Sequence, residues 1–255
     1  MKRSPDRRKA MAERLDALHI PYRFFDAVDG RDLDLETLPA YAKTRRRLFF
    51  GRDMTKAEVG CLLSHRAIYQ HIVDCNIEAA VILEDDVFLD PCFPEVLRDL
   101  LRVPIKWDVI RFLAPDKVQK TGRMIWPLLC KPYALARIRT TPGGAYGYML
   151  TRKAAARFLR HMQKNALPVD ILHGYVWKTG LETFILKPSP VSADMVVEST
   201  IGYDQRSDKT VRLSRGQRVI YPFARAWLKF SELVGKRFVY WASWPRDMLA
   251  KQRSS

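Results

Sequence analysis

The sequence predicts an α/β fold: a mixed, mainly parallel sheet between helices, followed by a basic amphipathic helical tail. Three observations carry this expectation. The continuous apolar run Ala79-Ala80-Val81-Ile82-Leu83 is too short for a buried helix, and its Val-Ile-Leu content suits a strand covered on both faces. An amphipathic helical pattern stands directly before it, opened by the capping box Thr55-x-x-Glu58. Further short apolar runs then alternate with helical patterns, the order that buries a sheet between helix layers.

Residues 7–19 predict a first helix with Met11, Leu15 and Leu18 on one side. Pro21 ends it, and Tyr22-Arg23-Phe24-Phe25 reads as a strand. Residues 30–53 are polar, turn-rich and basic, with Arg45-Arg46-Arg47 in the middle, and predict a loop. Cys61, Leu62, Ile68, Tyr69 and Ile72 then hold a 3.6-residue stripe to about residue 74. After the 79–83 strand, Asp108–Leu113 reads as a further strand, and residues 114–140 hold short strands at best. Gly143-Gly144 turns into a strand over 145–150, a helix follows over 152–164, and Thr183–Leu186 is a late strand closed by Pro188 and Pro190.

The chain has 255 residues, 47% of them apolar, enough for a packed core, and its mean hydropathy is −0.22. No run reaches the ~18 uninterrupted apolar residues of a membrane span, and no apolar leader follows Met1-Lys2-Arg3-Ser4. Cys61, Cys75, Cys92 and Cys130 have neither a C-x-x-C pair nor zinc-site spacing, and predict reduced, mostly buried cytoplasmic thiols. The formal charge of +16 is uneven. Residues 57–205 carry 18 basic and 16 acidic side chains, whereas residues 206–255 carry 12 and 3. This divides the chain into a near-neutral body, 1–205, and a basic tail, 206–255. Such a tail suits an anionic surface better than a nucleic-acid groove, although basic tails also simply aid solubility.

The chemistry concentrates at Glu84-Asp85-Asp86, immediately after the apolar strand. Ligands of open α/β sheets bind beyond the carboxyl ends of strands. Three adjacent acids resist burial there unless a cation compensates. Hard carboxylate oxygens suit Mn²⁺ or Mg²⁺ bridging to a phosphate; an acidic turn or helix cap is the plainer alternative. Walker-type and dinucleotide glycine motifs are absent.

The runs MTKAEVGCLLSHRAIYQHIV (54–73) and AAVILEDDVFLD (79–90) resemble glycosyltransferase family 25. Gly60, Cys61, Ser64 and His65 match its G-C-x-x-S-H helix, and Leu83 to Asp86 match its L-E-D-D strand end. RSPDRR (3–8), FFDAVDGRDL (24–33), WDVIRF (107–112), GGAYGYMLTRKAAARFL (143–159) and PVD (168–170) add to the likeness, which spans residues 3 to about 202. The resemblance implies a GT-A type fold, a UDP-sugar donor such as UDP-galactose, Mn²⁺ or Mg²⁺, inverting transfer, and a lipopolysaccharide-core or similar lipid-linked acceptor. By the same analogy Asp86 and Glu84 are expected as metal ligands and Asp85 as a donor-sugar or ribose contact.

The resemblance makes Asp170 the first candidate for the base, since Pro168-Val169-Asp170 matches the family's acidic position after the second helix; Glu182 and Glu198 are rivals, and a helix cap is the alternative role. Ser64 and His65 are expected at the donor or substrate, although a lone His on such a stripe is often a hydrogen-bonded core residue. Gly143 and Gly144 allow close backbone approach to the donor, or form a plain turn. Relatives usually open with a hydrophobic strand before the RSxDRR-like segment. That strand is expected to be missing here, with either a start further upstream or an incomplete nucleotide pocket.

The tail has its own pattern. Phe223, Trp227, Phe230, Val234, Phe238 and Trp241 recur at 4-3-4-4-3 spacing, with Arg225, Lys229, Lys236 and Arg237 off that stripe. Basic aromatic helices of this kind lie in a membrane interface; the alternative is a stripe packed on the body. The expected location is cytoplasmic, peripheral on the inner face of the cytoplasmic membrane.

Overall fold

The computed structural model describes residues 4–140, 142–193 and 213–254. Helix α1 (Pro5–Ala17) starts with Pro in its first turn, where no amide partner is needed, and buries Met11 and Leu15. The strand expected at Tyr22–Phe25 does not form. Alternation alone makes no strand without a neighbour to complete its ladder, and this stretch pairs with no strand among the described residues. Its continuation is held by a side chain instead: Val28 N–H donates to Ser64 Oγ at 2.8 Å.

Residues 30–53 are more ordered than their polarity suggests. They contain a 3-10 turn, Gly30–Asp32, and helix α2 (Lys43–Phe50). Arg46 of α2 is 1% exposed, donates to Ala166 O at 3.1 Å and lies 4.1 Å from the centre of the Phe50 ring. Helix α3 (Lys56–Asp74) carries the predicted capping box. Thr55 Oγ1 accepts from Glu58 N–H at 3.1 Å, and the Glu58 carboxylate accepts from Thr55 N–H at 2.9 Å.

The chain continues through β1 (Ala79–Leu83), β2 (Val87–Leu89), α4 (Phe93–Arg102), β3 (Val109–Arg111), α5 (Asp116–Lys120), β4 (Arg123–Pro127) and β5 (Ala134–Arg137). Then come β6 (Gly147–Thr151), α6 (Arg152–Met162), α7 (Val169–His173), α8 (Val176–Thr179), β7 (Thr183–Lys187) and β8 (Val191–Ala193). Six strands form one sheet in the order β1-β6-β3-β7-β5-β4, and β2 pairs with β8 separately.

The sheet is mixed, and the expectation of mainly parallel pairing is corrected. Strands β1, β3, β7 and β4 point one way, but the reversed β6 and β5 are interposed, so β3–β7 is the one parallel strand pair among the described residues. Continuous apolar runs report burial on both faces and do not report direction. In β6, Tyr148 and Leu150 face the core beneath α3 and α6, with Leu62, Tyr69, Ile72 and Phe158. Met149 faces the opposite core, with Met11 and Leu15 of α1, Phe93, Val96 and Leu100 of α4, and Phe112.

The tail forms α9 (Arg215–Ala242) and α10 (Trp244–Ser254). Serine at the N-terminus of α9 makes a second capping box with Gln217. Both helices pack on the body: the Tyr221 ring lies against Gly51, the Trp177 ring against Gly235, and α10 against β4. Asp247 of α10 is 4% exposed and binds Arg123 and Arg137 of β4 and β5. The aromatic stripe is not the packed face; all six of its residues are exposed. No described helix is long and apolar enough to cross a membrane. The four cysteines are free; Cys75 is exposed and the other three are half-buried.

Candidate active site

Strand β1 ends at Leu83, opposite Gly147 of β6. Glu84 N–H then donates to Tyr146 O at 2.9 Å, which turns the acidic run out of the sheet beside the Gly143–Tyr146 loop. A cleft of about 1800 Å³ opens there and runs along β1 to the 20–31 segment. Glu84, Asp85, Asp86, Ser64, His65, Gly144 and Asp170 all line it. Gly143 sits just behind its wall, with its carbonyl 3.5 Å from Arg111 Nη2.

Three adjacent carboxyl groups meet at this strand end. Arg7 of α1 reaches Asp85 at 3.4 Å and Asp86 at 3.6 Å, and it lines the same cleft. Asp86 Oδ1 is buried with no hydrogen-bond partner among the described residues. Burial, followed by repulsion from Glu84, pushes the Asp86 carboxyl up to about 6. An under-compensated carboxylate with an oxygen that no described residue bonds fits a divalent cation held by Glu84 and Asp86. Cys61, His65 and Glu84 also offer one donor atom each within 4.8 Å of one another. Burial holds the Cys61 thiol far above its ordinary range, in the protonated form, so it is the weaker ligand of the group.

Helix α3 supplies the second wall. Gly60 is required where α3 meets the 3-10 turn: a Cβ on it would lie 2.9 Å from Gly30 N. Ser64 is tied to the backbone on both sides, donating to Gly60 O at 2.7 Å and accepting from Val28 N–H. His65 is both core and site. Its Nδ1 is 2.5 Å from Tyr148 Oη, and its Nε2 is 3.9 Å from Glu84 Oε1. The chain of bonds continues from Tyr148 Oη to Tyr69 Oη at 2.8 Å and on to His173 Nε2 at 2.7 Å. Burial, with Arg111 nearby, drives the His173 imidazole well below its ordinary range and keeps it neutral. This buried run fixes the ring of His65, and with it the neighbourhood of Glu84.

The Gly143–Gly144 loop is clamped from two sides. Asp170 Oδ2 accepts from Gly144 N–H at 3.0 Å, and fully buried Arg111 donates to Gly144 O. Gly144 has φ +70°, and a Cβ there would run into the Tyr146 ring. The loop therefore requires glycine as a turn and also as a cleft wall. Asp170 is the second residue of α7, and its Oδ1 accepts from Ile171 N–H at 2.8 Å. The α7 N-cap itself is Pro168.

Glu182 is removed from the candidates. It stands before β7, at the opposite end of the sheet, where Arg137 at 2.8 Å and Arg246 at 2.9 Å hold it. Its position in sequence could not reveal which strand end it occupies. Glu198 lies outside the described residues. Arg7, Cys61 and Tyr148 are site residues that the candidate set omits. All three lie in quoted motifs, Arg7 in RSPDRR, Cys61 in the G-C-x-x-S-H helix and Tyr148 in the 143–159 run, so a signal is present, but nothing in those motifs singles out these positions.

The geometry defines an α/β chain with an acidic ligand cleft at a strand end. The family model "Glycosyltransferase family 25 (LPS biosynthesis protein)" matches residues 1–173. The chain belongs to glycosyltransferase family 25. It is 37% identical over 186 residues to a "Glycosyltransferase 25 family member" of Aedes aegypti, covering 67% of this chain and 28% of that protein. It is 28% identical over 185 residues to "Procollagen galactosyltransferase 1" of Danio rerio, covering 66% and 29%. It is 34% identical over 120 residues to "Inactive glycosyltransferase 25 family member 3" of Homo sapiens, covering 42% and 20%. The matched region thus spans less than a third of each of these relatives.

Proposed function

We propose that the chain is an inverting, metal-dependent hexosyltransferase of GT-A type. It transfers galactose from UDP-galactose to a lipopolysaccharide-core or similar surface-glycan acceptor, on the cytoplasmic side of the membrane. The observation that carries this reading is the acidic strand end in the cleft, where the Asp86 carboxyl is raised to about 6 and its Oδ1 has no hydrogen-bond partner among the described residues. A galactosyltransferase among the relatives supports the donor, and the family's description supports the acceptor class.

Glu84 and Asp86 would hold Mn²⁺ or Mg²⁺, and the bound ion supplies positive charge to the donor diphosphate and the departing UDP. Arg7 and Arg8, on the same cleft, offer guanidinium groups to phosphate oxygens. Asp85 accepts hydrogen bonds from donor hydroxyls. His65, fixed through Nδ1, presents its Nε2 to the cleft 3.9 Å from Glu84. Gly144 lets the sugar approach the backbone closely. Asp170 takes the proton of the acceptor hydroxyl as its oxygen bonds to the anomeric carbon and the bond to UDP breaks. A single displacement of this kind inverts the anomeric centre.

The test is calorimetric titration of UDP with and without Mn²⁺, on the chain and on Asp86→Asn. Mn²⁺-dependent binding that Asp86→Asn abolishes is expected. Equal UDP binding in all four combinations would remove the metal from the account.

A second reading has its own support: a non-catalytic relative that binds a membrane or a partner protein. Arg7 already pairs with Asp85 and Asp86, and a matched relative is named inactive. Absence of any UDP binding in a folded chain favours this reading.

A further inference from the structure

We infer that the outward face of α9, continued by α10, is a docking surface for an anionic phospholipid bilayer. Helix α9 has two faces. One packs on the body through Leu228 and Tyr221. The other carries Phe223, Trp227, Phe230, Val234, Phe238 and Trp241 within a sector of about 80° at 100° per residue. Phe223 is 74% exposed, Trp227 65% and Phe238 70%. Val219, Ile220 and Leu233 widen this face, and Trp244, Met248 and Leu249 extend exposed apolar surface onto α10. From Val219 to Trp241 it runs for about 33 Å at 1.5 Å per residue. Isolated exposed apolar residues are ordinary; a continuous strip of this length marks an interaction surface.

Charge identifies the occupant. Arg215 and Arg237 are exposed on α9 at the flank of the stripe, and Lys251 and Arg253 are exposed on α10; Arg218 and Lys229 stand on the far side of α9, and Arg246 pairs with Glu182 at 2.9 Å. The two acids of residues 213–254 are both drawn inward. Glu232 is half-buried against Lys236 at 2.6 Å, and Asp247 is buried against Arg123 and Arg137. The outward surface therefore offers aromatic rings and cations without an exposed acid. A second copy docking through the same face would bring these cations together. A bilayer with anionic headgroups receives the rings at its interface and neutralises the cations. The helix lies along such a surface, since it is not apolar enough to cross it.

The placement bears on the cleft. Helix α9 rests on α2, with Arg225 Nη1 donating to Phe49 O at 3.2 Å and the Tyr221 ring against Gly51. The chain from Gly51 leads directly into Arg52, Asp53 and Met54, which line the cleft. A membrane bound through the outward face of α9 thus lies across that helix from α2, whose C-terminal end leads into the cleft wall.

The experiment is co-sedimentation of the whole chain with vesicles of phosphatidylcholine alone or mixed with phosphatidylglycerol, with tryptophan emission as a second readout. The expected result is partitioning roughly tenfold or more stronger into the anionic vesicles, weakening as salt rises. A blue shift of tryptophan emission should accompany it. The pair Trp227→Ser and Phe238→Ser alters exposed positions and should leave circular dichroism unchanged while lowering partitioning at least about tenfold. Arg215→Glu with Arg237→Glu should weaken binding to anionic vesicles alone. Failure of the folded chain to bind either vesicle overturns the inference. Equal binding of both vesicles, or binding unaffected by the aromatic pair, overturns it too. A dimer in lipid-free buffer that the aromatic pair dissolves would assign the face to a second copy instead.

Discussion

Asp247→Asn tests whether the tail is an integral part of the fold. Asp247 accepts from Arg137 Nε at 2.8 Å and Nη2 at 3.0 Å, and from Arg123 Nε at 3.0 Å and Nη2. The side chains of Arg123 and Arg137 are 13% and 6% exposed, so neither can turn to water when the charge is removed. Burial alone would favour a neutral Arg137, yet Asp247 and Glu182 together hold its pKa above the ordinary value. Asparagine keeps one acceptor oxygen and the shape but deletes the charge. Breaking a buried pair from one side costs about 3–5 kcal/mol. Glu182, still 2.8 Å from Arg137, places the expected loss near the lower end, about 3 kcal/mol. Urea unfolding followed by tryptophan fluorescence measures it. Arg246→Ala is the control, because that side chain is 66% exposed and its pair with Glu182 should contribute under about 1 kcal/mol. A loss below about 1 kcal/mol for Asp247→Asn would refute the reasoning, and α10 would then be only loosely attached.

Three further outcomes follow from the site. The Asp86 carboxyl titrates at about 6 in the folded chain, against about 3.9 unfolded, so its ionised form destabilises the fold. The penalty is fully present above pH 6 and is relieved as the pH falls through 6 toward 4. Two pH units correspond to about 3 kcal/mol, reduced to about 1–2 kcal/mol by the partial exposure of the group. Asp86→Asn should therefore stabilise the metal-free chain by that amount above pH 6, and a gain that persists undiminished at pH 4 would contradict the cause. Tyr148→Phe removes the hydroxyl shared by His65 and Tyr69 and should cost about 2–3 kcal/mol in the same unfolding assay. A neutral result would mean that the buried hydrogen-bond run is not maintained. Asp170→Asn keeps an oxygen for Gly144 N–H and should preserve the fold while slowing sugar transfer by about 10²–10⁴. A rate within tenfold of the parent would reduce Asp170 to a clamp on the glycine loop.

Local signals in the sequence located much of this molecule. The capping box at Thr55, the strand at 79–83 and the helix at 152–162 follow from spacing and composition, because each depends on neighbours in the chain. The acids, Ser64, His65, Gly144 and Asp170 were all recognisable and do meet in one cleft. What escaped depends on partners distant in sequence. Strand direction is set by crossovers, so apolar runs alone do not distinguish four co-directional strands separated by two reversed ones from a mainly parallel sheet. Helix α2 looked like a polar loop because its buried Arg46 finds Ala166 O, 120 residues away. Tyr22–Phe25 has the alternation of a strand but pairs with none among the described residues. Glu182 and Asp170 look alike as isolated acids; topology alone sends one to arginines and the other to the cleft.

The most direct test of the central claim is galactose transfer from UDP-galactose to an acceptor glycan extract, with and without Mn²⁺, by the chain and by Asp86→Asn. The expected result is Mn²⁺-dependent transfer that Asp86→Asn reduces to background while the variant remains folded. Transfer that persists undiminished in Asp86→Asn, or no transfer by a folded chain supplied with metal, donor and acceptor, would contradict it.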